Sequence, residues 1–118
     1  MNRVVVCGND HTNSVGVIQS LGKAGYISVG LLYGYKHDYV SKSRYVECII
    51  SAKDPQSCID RLLASNLGDD EKMVIIPCCD LAALTLEKNK DRLSSRFLFE
   101  YSQQFSLEYI AKKRTRLD

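Results

Sequence analysis

Three short stretches hold the side chains with which this chain could do chemistry. Gly8 to Ser14 carries Asn9, Asp10, His11, Asn13 and Ser14, Tyr33 to Arg44 is polar and aromatic and closes on a guanidinium, and Pro77 to Asp80 sets two thiols beside a carboxylate. Amide and hydroxyl groups hydrogen-bond carboxylate or phosphate oxygens, a guanidinium pairs with an anion, and an aspartate holds an amine or a cation. The spacings do not assemble a reaction centre. His11 and His37 stand 26 positions apart with no cysteine or carboxylate cluster around either, and Cys-x-x-Cys does not occur, so no metal set is expected. Neither histidine lies beside a serine or cysteine in a recognisable elbow, and His11 reads as a solvated loop residue. The five cysteines, Cys7, Cys48, Cys58, Cys78 and Cys79, read as reduced thiols. Cys78-Cys79 in particular reads as two small residues at a strand end, because adjacent cysteines bridge only with strained geometry. No catalytic residue is assigned.

Nucleotide-binding loops are the next comparison, because the first stretch follows a strand pattern and opens a helix pattern. A dinucleotide loop needs glycines where its backbone approaches a pyrophosphate, but Gly8 is followed by Asn9-Asp10-His11, and Asp10 would repel the ligand. The carboxylate that should close the second strand and hold a ribose is replaced by Tyr33-Gly34. Gly-Lys-Ser/Thr occurs nowhere, which excludes a Walker loop. Asn9-Asp10 would supply half of the acidic magnesium pocket of a phosphorylatable receiver domain. The third strand, however, ends Ser51-Ala52-Lys53, and Asp54 is placed to cap a helix, so the phosphate-accepting position is not convincingly filled.

The elements that must position these loops alternate strand with helix. Val4 to Cys7 is a β-branched run ended by Gly8, as in strands buried on both faces. Val15, Ile18 and Leu21 recur at helical spacing behind a cap at Asn13 or Ser14, and Gly25 fits the left-handed residue that closes the helix. Ile27 to Tyr33 is the second strand, Tyr35 to Arg44 is irregular, and Tyr45 to Ser51 is the third strand. Asp54-Pro55 opens a helix with the apolar face Cys58, Ile59, Leu62 and Leu63, ending near Asn66 to Gly68. Met73 to Ile76 is the fourth strand, ended by Pro77. Asp80 caps a third helix, which Asp91 to Ser95 extends or turns. Phe97 to Phe99 is a short fifth strand. A last helix holds Phe105, Leu107, Tyr109 and Ile110, with Lys112, Lys113, Arg114 and Arg116 toward its C-terminal end. Right-handed crossovers then give an α/β fold, a three-layer open parallel sheet of four to five strands with helices on both faces. Ligands of such sheets sit beyond the carboxyl ends of the strands, where the strand order reverses.

Composition agrees with a single domain. The chain has 118 residues, 45% hydrophobic and 25% charged, enough to bury one core without disulfides or a structural metal. Sixteen basic residues nearly cancel fourteen acidic ones, so no single-sign field argues for nucleic acid or a membrane surface. The first apolar run stops at Gly8, far short of the roughly 20 residues of a membrane helix, and with unpaired cysteines and no secretory signal the expected compartment is the cytoplasm.

The ordered set Gly8-Asn9, Asn13-Ser14-Val15-Gly16, Ser20-Leu21-Gly22, Gly25-Tyr26, then Ser41, Ser43-Arg44-Tyr45 and Ile76-Pro77-Cys78-Cys79-Asp80 resembles the amino-terminal domain of ATP-grasp ligases. It is most similar to carboxylate–amine ligases related to carbamoyl-phosphate synthetase. The resemblance spans roughly residues 3 to 95. It implies a Rossmann-like pre-ATP-grasp domain over residues 1–95, and a short strand and helix over 96–118 leading toward an ATP-grasp lobe that this sequence lacks.

What the resemblance implies is a substrate-side domain. In the complete enzyme, ATP and magnesium are held between two further lobes, a carboxylate is phosphorylated and an amine attacks the acyl phosphate. This chain by itself would bind no cofactor and make no product. Its partners would be those lobes and a small carboxylate or amine, with a homodimer also open. Carried over residue by residue, the substrate-binding candidates are Asn9, Asn13, Ser14, Arg44 and Asp80. Asn13 and Ser14, with Gly16, shape a helix amino end that meets an oxyanion, a role that ordinary capping also explains. Arg44 pairs with an anion or stands as a solvated charge. Asp80 orients a loop amide or a substrate amine, or caps its helix. Cys78-Cys79 and the polar Asn9-Asp10-His11 depart from the family pattern. The tail resembles the start of the connection to the ATP lobe, and it equally suits a helix packed on its own sheet. A stand-alone small-molecule-sensing or protein-interaction domain is the alternative reading.

Overall fold

In the computed structural model, which describes residues 3–34 and 38–99, β-branched and apolar runs form the strands and helical-period segments the crossovers. The strands are β1 (Arg3–Gly8), β2 (Ile27–Tyr33), β3 (Val46–Ala52), β4 (Met73–Pro77) and β5 (Phe97–Leu98). The helices are α1 (Thr12–Lys23), α2 (Asp38–Ser41), α3 (Pro55–Ala64), α4 (Asp80–Lys88) and α5 (Lys90–Leu93). All five strands are parallel, in the order β3-β2-β1-β4-β5. The chain therefore winds outward from β1 to β3, crosses back, and winds outward again through β4 and β5. This is the Rossmann-like α/β architecture that the alternation predicts. The last helix predicted from the sequence, around Phe105 to Arg116, lies outside the described residues.

Alternation along β1 builds two cores. Val4 and Val6 face Ile18 of α1 and Val40 of α2. Val5 and Cys7 face Ile59 and Leu62 of α3, Ala82 and Leu86 of α4, Leu93 of α5 and Phe97 of β5. Most of these side chains are fully buried, with Phe97 the largest. At about 25 cal/mol per Å² of apolar surface removed from water, this second cluster is the larger source of stability. Among the described residues no helix is long and apolar enough to cross a membrane.

Four boundaries differ from the expectation. His11, not Asn13 or Ser14, caps α1, and its ring Nδ1 accepts from the Asn13 amide at 3.3 Å. Ser14 is buried and donates instead to the Asn9 carbonyl at 2.7 Å. The stretch expected to be irregular contains α2, which four residues of sequence are too short to reveal. Its first amides are held from outside, where the Asp10 carboxylate accepts from Tyr39 N at 3.1 Å and Val40 N at 2.9 Å. Cys79, in extended backbone and without a side-chain cap bond, precedes α4, and Asp80 is its first helical residue. There the carboxylate lies at the positive end of the helix dipole without closing an amide. Asp91, expected to extend or turn α4, instead lies in the separate helical turn α5, which Lys90 opens. Gly25 closes α1 at φ +98°, as predicted.

Asp54 caps α3 as expected, accepting from Ser57 N at 2.7 Å, and Pro55 occupies the first turn. The bonds from Ser57 hold the Asp54 carboxyl below the usual carboxylate range. A carboxyl with a depressed folded-state pKa stabilises the fold above its unfolded pKa and loses that contribution as pH falls through the folded one. Asp54→Asn accepts the same bond without titrating. Its urea midpoint, measured between about pH 2 and pH 6, should therefore fall less steeply in acid than that of the unsubstituted chain.

The far end of α3 is closed by a single side chain from the other side of the sequence. Arg96, just before β5, donates Nη1 to Leu63 O at 2.8 Å and Nη2 to Ser65 O and Leu67 O at 2.6 Å each. Its Nε reaches Leu67 O and the Asp69 carboxylate, both at 3.1 Å. The Leu63 carbonyl in the last turn of α3, the Ser65 carbonyl at its cap and the Leu67 carbonyl in the turn beyond it are satisfied by this one guanidinium.

Candidate functional site

The strand order reverses between β1 and β4, and crossovers leave these two strands in opposite directions. Their carboxyl ends therefore flank a crevice with the amino end of α1 on one side and that of α4 on the other. β1 and β4 pair up to Cys7 opposite Pro77, and the Cys78 amide donates to Cys7 O at 2.8 Å, so the strands stay joined to the lip. Close packing continues above it. A Cβ on Gly8 would lie 3.1 Å from Ser14 Oγ and 3.2 Å from Cys78 Cβ, which leaves little room for any larger residue there.

Four of the five sequence-assigned substrate residues come together at this rim. Asn9 is half-buried, Asn13 and Asp80 are exposed, and Ser14 lies beneath them with its hydroxyl engaged by Asn9 O. Arg44 does not join them. It precedes β3, and β3 begins where Val46 pairs with Ser28 near the start of β2, so Arg44 stands at the amino end of the sheet. There it lies over the Tyr45 ring, 5.0 Å from the centroid, and donates to the Tyr45 hydroxyl at 2.9 Å.

Tyr33 is the rim residue that sequence reasoning passed over. It ends β2, and its hydroxyl and the Cys79 thiol share a hydrogen bond at 3.4 Å that either can donate. The signal was present: Tyr33 occupies the strand end where a ribose-binding carboxylate had been sought. That bond, followed by burial, pushes the Tyr33 hydroxyl up to about 12. Burial also pushes the Cys78 thiol up to about 11 and raises Cys7 and Cys58 beneath it. These groups are neutral at physiological pH, and protonated thiols are poor nucleophiles and poor metal ligands. Among the described residues no group of three His, Cys, Asp or Glu could hold a metal ion.

The remaining chemistry is recognition by neutral donors and one carboxylate. The first intrahelical bond of α4 runs from Ala83 N to Cys79 O at 3.0 Å, so the amides of Asp80, Leu81 and Ala82 precede the bonded ladder. Such an amide end attracts an oxyanion, while the Asp80 carboxylate beside it attracts an amine. Asp10, whose charge would repel a phosphate at this rim, is turned onto the amides of α2.

Comparison with family models, curated proteins and solved structures finds no match to this chain.

Proposed function

We propose that this chain is the substrate-side domain of an ATP-grasp ligase that joins a carboxylate to an amine through an acyl phosphate. ATP and magnesium would be held by lobes outside this sequence, and the chain would be inactive without them, working in the cytoplasm. The observation that carries the reading is the crevice at the β1/β4 reversal, which gathers Asn9, Asn13, Ser14 and Asp80 from two separate loops. It offers one wall of a small-molecule site, with an amide end for an oxyanion and a carboxylate for an amine. The neutral thiols and tyrosine around it suit holding a substrate rather than attacking it.

In this reading, Asn9, Asn13 and Asp80 touch the substrate, and Ser14 keeps the loop above β1 in place. Arg44, at the other end of the sheet, belongs to a different surface. With ATP and magnesium the chain should release no ADP or phosphate and show no rise in melting temperature. Sequencing the gene on the 3′ side should reveal the lysine, glutamate and asparagine set of an ATP lobe. Nucleotide turnover by this chain alone would defeat the proposal. So would a small carboxylate or amine that raises its melting temperature by mass action in the absence of any lobe, which is the behaviour of a self-contained sensor.

A further inference from the structure

The two edges of the sheet differ. β5, at one edge, is two residues long, whereas β3, at the other, has seven and contains neither proline nor lysine, the residues that commonly guard an edge. Its one charge, Glu47, is held at 2.9 Å by Arg3. A register shift between Ser28 and Val29 leaves Glu47 as a bulge, and Cys48 to Ala52 then pair regularly with Val29 to Tyr33. Gly34 N donates to Ala52 O at 2.8 Å, which turns the backbone of Ala52, and by alternation that of Ile50 and Cys48, toward β2. Ile49 and Ser51 turn their N–H and C=O groups outward, and among the described residues no hydrogen bond reaches those groups. Helices cover the faces of β3 and leave this edge open: Ile49 packs in the core under α1 and α2, Ile50 and Ala52 in the core under α3.

We propose that a second copy of this chain pairs with β3 across a twofold axis and joins the two sheets edge to edge. A twofold axis makes the facing strands antiparallel, and centring it on Ile50 uses the whole regular stretch from Cys48 to Ala52. Ile49 of each copy then faces Ser51 of the other, and each facing pair exchanges both of its outward N–H···O bonds. Ile50 faces Ile50 and Cys48 faces Ala52, apolar against apolar. A shift of one residue would set an outward position against one already bonded to β2. A shift of two, in either direction, carries an outward position onto the bulge or past the end of the strand. Charge fits the same register. At each end Glu47 of one copy stands opposite Lys53 of the other, and both are exposed, so opposite charges close the pairing on both sides. The crevice at the β1/β4 reversal lies beyond β2, so this pairing neither covers it nor depends on the ligase reading.

Sedimentation equilibrium of the full chain from about 1 µM to about 1 mM tests the proposal. The unsubstituted chain should approach twice its monomer mass toward the upper end. Glu47→Lys and Lys53→Glu should each weaken association at least about tenfold, because each sets like charges opposite one another at both ends of the pairing. An equimolar mixture of the two variants should associate as well as the unsubstituted chain, since every end pair is then opposite in sign. Both side chains stand at the surface, where the Arg3–Glu47 pair adds little stability, so the fold survives either change. In Cys48→Ser/Ile50→Cys, glutathione disulfide should link the two copies, because the facing positions lie at a Cα separation of about 4.5 Å. Cys48→Ser alone should stay unlinked. A chain that remains monomeric at about 1 mM overturns the proposal. So does a dimer that both charge variants leave intact, a mixture that associates no better than its components, or a dimer that the cysteine at position 50 fails to link.

Discussion

Replacing Arg96 with methionine should destabilise the protein by about 3 kcal/mol, because charge-assisted hydrogen bonds contribute roughly 1.5–3 kcal/mol each and do not sum independently. Methionine keeps much of the apolar stem and none of the donors. The carbonyls of Leu63, Ser65 and Leu67, at the end of α3 and in the turn after it, would lose a partner that approaches within 2.6 to 2.8 Å. For a domain of this size the loss corresponds to a fall in melting temperature of about 10 °C or more. Arg96→Lys should recover little of it, since an ammonium cannot reproduce the planar fork that reaches three carbonyls. Asp69→Asn should cost less than about 0.5 kcal/mol, because that carboxylate is 54% exposed and its ion pair is screened by water. Urea midpoints of the three variants decide the matter. A loss below about 1 kcal/mol for Arg96→Met would mean that water replaces the guanidinium at these carbonyls.

Arg96 also marks the boundary of what could be read from residues in order. Its sequence neighbours give no sign that it closes a helix some thirty positions earlier, because the bonds exist only once β5 lies beside β4. The strands themselves were legible, since runs such as Val4 to Cys7 and Met73 to Ile76 carry their burial in their composition. So was the cap at Asp54, whose partner Ser57 is three residues away. The start of α1 was misplaced for the opposite reason. Asn13 and Ser14 are good capping residues by type, but Ser14 is drawn under the loop to Asn9 O and His11 takes the helix end. Helix α2 went unseen because its amides are satisfied by Asp10, 29 and 30 positions away.

The candidate site divides along the same line. Asn9, Asn13, Ser14 and Asp80 could be placed together from the strand-and-helix alternation, because residues just after a parallel strand converge wherever the order reverses. Arg44 joined them through the resemblance and because its loop, Tyr33 to Arg44, leaves the carboxyl end of β2. It belongs to a connection that starts at the rim at Tyr33 and finishes at the opposite end of the sheet, and a sequence does not state at which end a charge within such a connection falls. The Tyr33–Cys79 bond was hidden because it joins strand ends separated by 46 positions.

Gly22→Ala should destabilise the protein by about 1–3 kcal/mol, although the same change in an open helix position is worth about 1 kcal/mol in the other direction. The reason is contact with Tyr45: a Cβ on Gly22, in the last turn of α1, would fall inside the van der Waals surface of the ring. Gly16, in the same helix, has nothing within 4 Å of the Cβ it would gain, so Gly16→Ala should stabilise by up to about 1 kcal/mol. The opposite signs separate packing from helix propensity, which is identical in the two cases. Gly22→Ala combined with Tyr45→Ala should cost less than the sum of the single changes by more than about 0.5 kcal/mol, since the ring that obstructs the methyl is gone. Equal effects at Gly16 and Gly22 in thermal or urea unfolding would show that Tyr45 moves aside freely. If it does not, the Gly22–Tyr45 contact sets how closely the C-terminal end of α1 lies on the sheet, and with it where the other end of the helix delivers Asn13 and Ser14 to the rim.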